Sequence, residues 1–466
     1  MEQTEGTRTR ADRRTTRRVV LGSATGLAGA LLAACGASTS TSTSPATGSG
    51  SQPAAPSLQP VTIRSWIGEP QNERFPATQA ADAAIKVKYP HLTVEHEVQP
   101  SGDQITKTVA AAAANSMPDV TIAQGTNISN FASKGLFVPL DPHIAKTPAF
   151  DMADFPKVAI DLYKVGGKQY NIPYDHAPIM LFYNKDLFDR FGIKHPDSTW
   201  TMDTLLETAR KLNRPDEGIW GMAGFAPGGG FTAHGTFYMP WGKGQHNDDE
   251  TETYIDSPEV IQALDFWVKT RMTFKVNPMP ADGNARQLFV GGKAAMHEAG
   301  LWGWRDIAVA RDRATVPFTP DVADWPSGPK GRFTSSMGSG YGITKDSKAP
   351  EDAWLYLSEY VGKDTDRSIM GQFLKTGFGI PVRFSFMSRW ETLKDFAPPS
   401  AKLVAPAMKY AIMGRPISPA KADFDKLIND NFNPVWEGKT TMSDAVREIK
   451  RLSGPILARN QQYVKK

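Results

Sequence analysis

The chain is nearly without cysteine: Cys35 is the only one in 466 residues. A disulfide within the chain is therefore excluded, and so is a cysteine-based zinc site. The eight histidines are scattered without ligand spacing. Met296-His297-Glu298 begins like a zinc-protease helix, but Leu301 stands where the second histidine would be needed on the same helical face. Gly338-Ser339-Gly340-Tyr341-Gly342 lacks the Lys-Ser/Thr of a phosphate loop, and Gly291-Gly292-Lys293-Ala294 has the lysine without the hydroxyl. No Gly-x-Ser-x-Gly elbow occurs. No metal and no cofactor is implied. A pair of carboxylates facing across a cleft, as in a glycosidase, is the one catalytic arrangement that spacing does not test.

A long apolar run is also missing. The most apolar stretch, Val19–Ala34, holds sixteen residues with three glycines, short of the roughly 20 needed to span a bilayer. Before it stand six arginines (Arg8, Arg10, Arg13, Arg14, Arg17, Arg18) against three acids, and after it Leu32-Ala33-Ala34-Cys35. A basic head, a short apolar body and small residues at a cleavage site make residues 1–34 a secretory signal. Arg17-Arg18-Val19-Val20-Leu21 looks like a twin-arginine signal, and Leu-Ala-Ala-Cys looks like a bacterial lipobox. That resemblance implies cleavage before Cys35 and lipidation of its thiol. Residues 35–60 are almost entirely Ser, Thr, Ala, Gly and Pro. They bury too little to fold and read as a flexible tether.

Charge of one sign is scarce once the signal is set aside. Removing its six arginines and three acids takes the formal charge from +4 to +1. The basic balance thus gives no argument for a nucleic-acid partner.

What remains is about 400 residues, too many for one core and enough for two domains. Val61–Trp66, Leu92–Val98 and Asp119–Ala123 read as strands. Residues 77–89 and 103–115 between them read as helices, which argues for an α/β fold with a parallel sheet. Thr201–Leu212 is an amphipathic helix with Met202, Leu205, Leu206, Ala209 and Leu212 on one side. Pro350–Val361 is another, with Glu351 and Asp352 in its first turn and Ala353, Trp354, Leu357 and Val361 on its apolar face. In such sheets ligands sit beyond the carboxyl ends of the strands, which directs attention to Trp66–Glu69 and Gln124–Asn127.

Three stretches resemble family 1 extracellular solute-binding proteins, the maltose-binding-protein-like receptors of sugar ABC importers. The first runs from Tyr170 as Tyr-Asn-Ile-Pro-Tyr-Asp-His-Ala-Pro-Ile-Met-Leu-Phe-Tyr-Asn-Lys-Asp-Leu-Phe, with Gly192-Ile193, Pro196 and Thr199-Trp200 after it. The second is Leu288-Phe289, Gly292-Lys293-Ala294-Ala295-Met296 and Gly300-Leu301-Trp302-Gly303-Trp304. The third runs from Gly338 to Ile343 and into Ser347–Val361. Thr201 and Met202 replace the acids usual after Thr-Trp, and Leu301 replaces a proline.

The resemblance implies a type II periplasmic-binding-protein-like fold: two α/β lobes around a hinge. Residues 61–178 with 318–373 would form the N-lobe, and 179–317 with 374–466 the C-lobe. Crossings are expected near Pro178–Phe182, Val316–Phe318 and residues 373–380. It further implies a monomer on the outer face of the cytoplasmic membrane that binds a mono- or oligosaccharide and delivers it to a permease. A peptide or polyamine receptor of the same fold and a secreted glycosidase are the alternatives.

Sugars need hydrogen-bonding groups for their hydroxyls and aromatic rings for their C–H faces. Trp302 aligns with a tryptophan that stacks on sugar in that family and heads the candidate ligand residues. The others are Trp66 and Glu69 after the first strand, Gln124 after the third, Tyr174 and Asp175 near the hinge, Glu298 before the Trp302 turn, and Trp241 in a Pro-Trp-Gly turn. Gly340 and Tyr341 could admit backbone to the ligand, and Arg383 could fork onto hydroxyls. Trp267, Trp354 and Trp200 read as structural.

Overall fold

The computed structural model describes residues 59–68, 71–99, 104–228, 230, 232–304, 307, 316–377, 379–415 and 417–464. The signal, Cys35, most of the tether and Glu69 lie outside the described residues. Twelve strands are described: β1 (Val61–Gly68), β2 (Leu92–Gln99), β3 (Val120–Gln124), β4 (Lys164–Val165), β5 (Lys168–Gln169), β6 (Ile172–Pro173), β7 (Ala177–Asn184), β8 (Met296–Gly300), β9 (Pro320–Ala323), β10 (Thr334–Met337), β11 (Ser339–Ile343) and β12 (Ala411–Met413). One sheet has the order β2-β1-β3-β11-β6, the second the order β12-β10-β7-β8 with β9 also paired to β7, and β4 and β5 form a hairpin.

In the first sheet β1 lies parallel to β2 and β3, with the helices Gln71–Lys88 and Gln104–Ala113 as connections. A parallel pair needs a crossover long enough for a helix, and the apolar spacing supplies it. Ala77, Ala81 and Ile85 recur every four residues and are buried in one core with Ile63 and Val120. The first helix starts at Gln71, six residues before the expected start, and holds Pro76 as its sixth residue, where the ring removes the i→i−4 bond to Asn72. β11 joins antiparallel to β3, so the sheet is mixed rather than parallel throughout.

The second sheet is organised by β7, which is buried at all eight positions. Successive side chains of a strand point to opposite faces. Met180 and Phe182 accordingly enter a core that also holds Ile63, Val120 and Trp304, whereas Ile179, Leu181 and Tyr183 enter a separate core with Phe225, Trp267 and Trp325. A strand covered on both faces reads as a continuous apolar run, which is why Ala177–Tyr183 shows no alternation. Thr201 caps its helix by accepting the Thr204 N–H at 3.2 Å, and Met202, Leu205, Ala209 and Leu212 are buried in the second core.

The chain passes between the sheets at Tyr174–His176, which joins β6 to β7, and at Gly338, which joins β10 to β11. The first passage precedes the expected Pro178–Phe182 by a few residues. The second differs from the expected Val316–Phe318: β9 and β10 both pair antiparallel with β7, so residues 320–337 stay with the second sheet. Around the third expected passage, the helices Ile369–Thr376 and Phe384–Trp390 both pack on the core shared by the two sheets. Among the described residues no helix is long and apolar enough to cross a membrane.

Candidate functional site

The two passages are fastened to one another. The Tyr174 N–H donates to the Ser339 carbonyl at 3.1 Å, and the Ser339 N–H donates to Asp175 Oδ1 at 2.7 Å. The Gly125 N–H reaches the Gly338 carbonyl at 3.1 Å. Gly338 is a glycine for a steric reason: a Cβ there would stand 2.0 Å from the Asp175 carbonyl oxygen. Ser339 pairs with Gln124 and Met337 with Ala177, so the end of β3 and the start of β7 flank this knot. Gly300, at the end of β8, lies opposite Ile179 just beyond it. The strand ends of both sheets therefore converge on the passages, where ligands of α/β sheets collect.

At the β8 edge, Trp302 follows the strand and is 39% exposed, unusual for a large aromatic in this chain. A Cβ on Gly300 would fall 2.1 Å from its indole carbons. The glycine thus makes room for the ring to lie back on the strand end and leaves its outer surface to solvent. Glu298, two residues before Gly300, is half-buried, and its carboxyl has no side-chain hydrogen bond or ion pair with another described residue. Burial pushes its carboxyl up to about 8. At neutral pH it is mostly protonated and offers both an O–H donor and an acceptor. The pairing suits hydroxyls, and the neighbouring ring suits C–H groups.

Gln124 is half-buried at the end of β3. Its backbone N–H donates to Gln104 Oε1 at 3.2 Å, Asn127 Nδ2 donates to the same oxygen at 3.3 Å, and Gln104 Nε2 donates to the Ile122 carbonyl at 3.3 Å. Gln104 therefore sets the strand end, and its role carried no local signal. Asp175 is half-buried, with one carboxylate oxygen engaged by Ser339. These residues, with Trp302 and Glu298, keep polar or aromatic surface near the passages.

Several expected ligand residues are instead occupied within the protein. Trp66 lies inside β1 rather than at its exit, is 7% exposed, and donates its indole N–H to Glu97 Oε2 at 3.0 Å. Tyr174 and Tyr341 are each 3% exposed and pack with ring centroids 5.0 Å apart, with Tyr360 5.4 Å beyond Tyr341. Gly340 admits β6 rather than a ligand, because a Cβ would stand 2.8 Å from the Ile172 carbonyl oxygen. Trp241 packs on Phe266 at 5.3 Å and Trp267 at 6.1 Å within the second core. Arg383 is fully buried and donates to the carbonyls of Val361, Asp151 and Phe150 at 2.9–3.0 Å, with its guanidinium 4.0 Å from the Phe155 ring centroid. It staples three backbone segments and, fully buried, presents no surface to a sugar. His297 is likewise structural: its Nδ1 meets the Ala223 carbonyl at 2.8 Å and its ring stacks on Phe289. Among the described residues no group of three or more His, Cys, Asp or Glu could hold a metal ion.

Two mixed sheets that exchange strands through short passages, with strand ends converging there, define a two-lobed binding-protein fold of the periplasmic type. The chain belongs to the bacterial extracellular solute-binding proteins, whose family profile matches residues 70–365. That is a family of binding proteins rather than enzymes. An ABC substrate-binding protein of Listeria monocytogenes in complex with cycloalternan is similar at 25% identity, with a TM-score of 0.71 over 84% of this chain and 98% of that one. The sugar-binding protein MalE of Xanthomonas citri is similar at 20% identity, with a TM-score of 0.72 over 87% of this chain and all of that one. A mannitol-binding protein of Pseudomonas aeruginosa is 32% identical over 174 residues, 35% of this chain and 37% of its own length.

Proposed function

We propose that this protein is the extracytoplasmic receptor of an ABC importer, binding a mono- or oligosaccharide between its lobes and delivering it to the permease. The observation that carries the reading is the exposed Trp302 ring just past the end of β8, the strand that bears Glu298, whose carboxyl burial keeps mostly protonated. Asp175 and Gln124 supply further polar groups from the facing strand ends. The cycloalternan bound by the Listeria protein, and the sugar and mannitol that the Xanthomonas and Pseudomonas proteins bind, point the same way. Closure of the lobes about the passages Tyr174–His176 and Gly338 would bring the two sides onto the sugar.

The membrane half of the proposal rests on sequence. Cleavage before Cys35 and acylation of its thiol would hold a monomeric receptor on the outer face of the cytoplasmic membrane. The tether to residue 60 would give it reach to the permease.

The test is calorimetric titration of the protein without its signal against mono-, di- and cyclic oligosaccharides, mannitol, spermidine and a tripeptide. Saturable binding of a saccharide is expected. Binding of spermidine or the tripeptide with no saccharide bound would transfer the fold to a different ligand class.

A further inference from the structure

We propose a second ligand site, for a small amphiphilic organic anion, in the groove between the helix Lys157–Asp161 and β12. The groove encloses about 970 Å³, within the range of small-molecule sites. It is distinct from the sugar site: none of the residues placed near Trp302 lines it. β12 and β8 are opposite edges of the second sheet, with β10 and β7 between them. At about 4.8 Å per strand those edges stand roughly 14 Å apart.

The groove offers three kinds of contact. His234 and His246 line it as buried imidazoles; each Nδ1 lacks a hydrogen-bond partner and has no exposed surface, so it meets an occupant only as the wall opens. Such orphaned groups are few in native proteins and ask for a partner. Burial holds the two imidazoles down at about 3 and about 4, so both are neutral and each has a donor and an acceptor.

The second contact is positive charge. The acids of the groove are already engaged: Asp161 pairs with Lys157 and Lys164, and Asp248 pairs with Arg415. Arg415 also faces the buried Glu250 at 3.6 Å. Lys243 and Lys409 have no ion pair among the described residues. The uncompensated charge of the groove is therefore positive. The third contact is apolar: Phe384 lines the groove while 44% exposed, and Met408 and Met413 lie in the same wall. An anionic head with an apolar body matches all three.

The helix Lys157–Asp161 touches β6 of the first sheet and β10 and β12 of the second. An occupant of the groove would thus contact both lobes, and its binding would be linked to their rotation, with equal and reciprocal effects on ligand affinity.

Phenylacetate and its neutral amide, phenylacetamide, are the probes. Titration of the full receptor should show saturable phenylacetate binding, with the amide at least about tenfold weaker, or 1.4 kcal/mol. Lys243→Gln with Lys409→Gln should weaken phenylacetate by at least the same factor, while Trp302→Ala should leave it unchanged. Absence of phenylacetate binding, equal binding by the double variant, or loss of binding in Trp302→Ala would each overturn the proposal. Loss in Trp302→Ala would place the probe in the sugar site.

Discussion

The carboxylate of Asp175 accepts the backbone N–H of Ser339 at 2.7 Å, so one passage between the sheets holds the other. Gly338 lies in the middle of this contact, with no space for a Cβ beside the Asp175 carbonyl. Gly338→Ala should therefore force the passages apart. Overpacking of this kind costs about 1–3 kcal/mol, read as a lower urea midpoint with an unchanged slope. A midpoint equal to the wild type would mean that the two passages are not tightly packed.

Arg383→Met should destabilise the fold by about 3–5 kcal/mol, because three carbonyls and the partly paired Asp154 lose a buried cation. Burial lowers its guanidinium to about 10, so it stays charged at neutral pH. Sugar affinity of the folded variant should equal that of the wild type. A selective loss of affinity without loss of stability would return Arg383 to the ligand site.

Glu298 predicts a pH dependence. Its folded carboxyl titrates near 8, above its ordinary value of 4.5. The folded state then binds more protons than the unfolded state between those values, so stability should fall as pH rises through that window. The slope is at most about 1.4 kcal/mol per pH unit for one group. Glu298→Gln, which mimics the protonated acid, should flatten this slope in melting experiments between pH 5 and pH 8. An identical slope in wild type and variant would show that Glu298 titrates normally.

Much of this architecture was legible in local sequence. The strands near Val61, Leu92 and Val120 and the helices Met202–Leu212 and Pro350–Tyr360 lie within one or two residues of where pattern placed them. Their signals, alternation and capping, are local. The second passage was not legible, because only pairing with β7 assigns β9 and β10 to their sheet. Tryptophan roles divided similarly. Trp267 on its helix face is core as its periodicity implies, but Trp241 in a Pro-Trp-Gly turn is also core, since a turn can be covered by a helix further along the chain. Arg383 likewise showed no sign of the three carbonyls it holds, two of them over two hundred residues away in the chain.

Cys35→Ala should leave the receptor unprocessed or released, measured as loss of labelled fatty-acid incorporation and of membrane-fraction signal. Ligand affinity should be unchanged, because the residues placed in the site run from Gln124 to Trp302. Retention of the label would mean that another residue is acylated.

The most direct test of the central claim is titration of wild type and Trp302→Ala with the saccharide that the wild type binds best. Trp302 is 39% exposed with one face lying on Gly300, so its loss should cost about 1–2 kcal/mol of stability and leave the protein folded. If the ring stacks on sugar, affinity should fall by about 1–3 kcal/mol. An unchanged affinity in a folded Trp302→Ala protein would contradict the account.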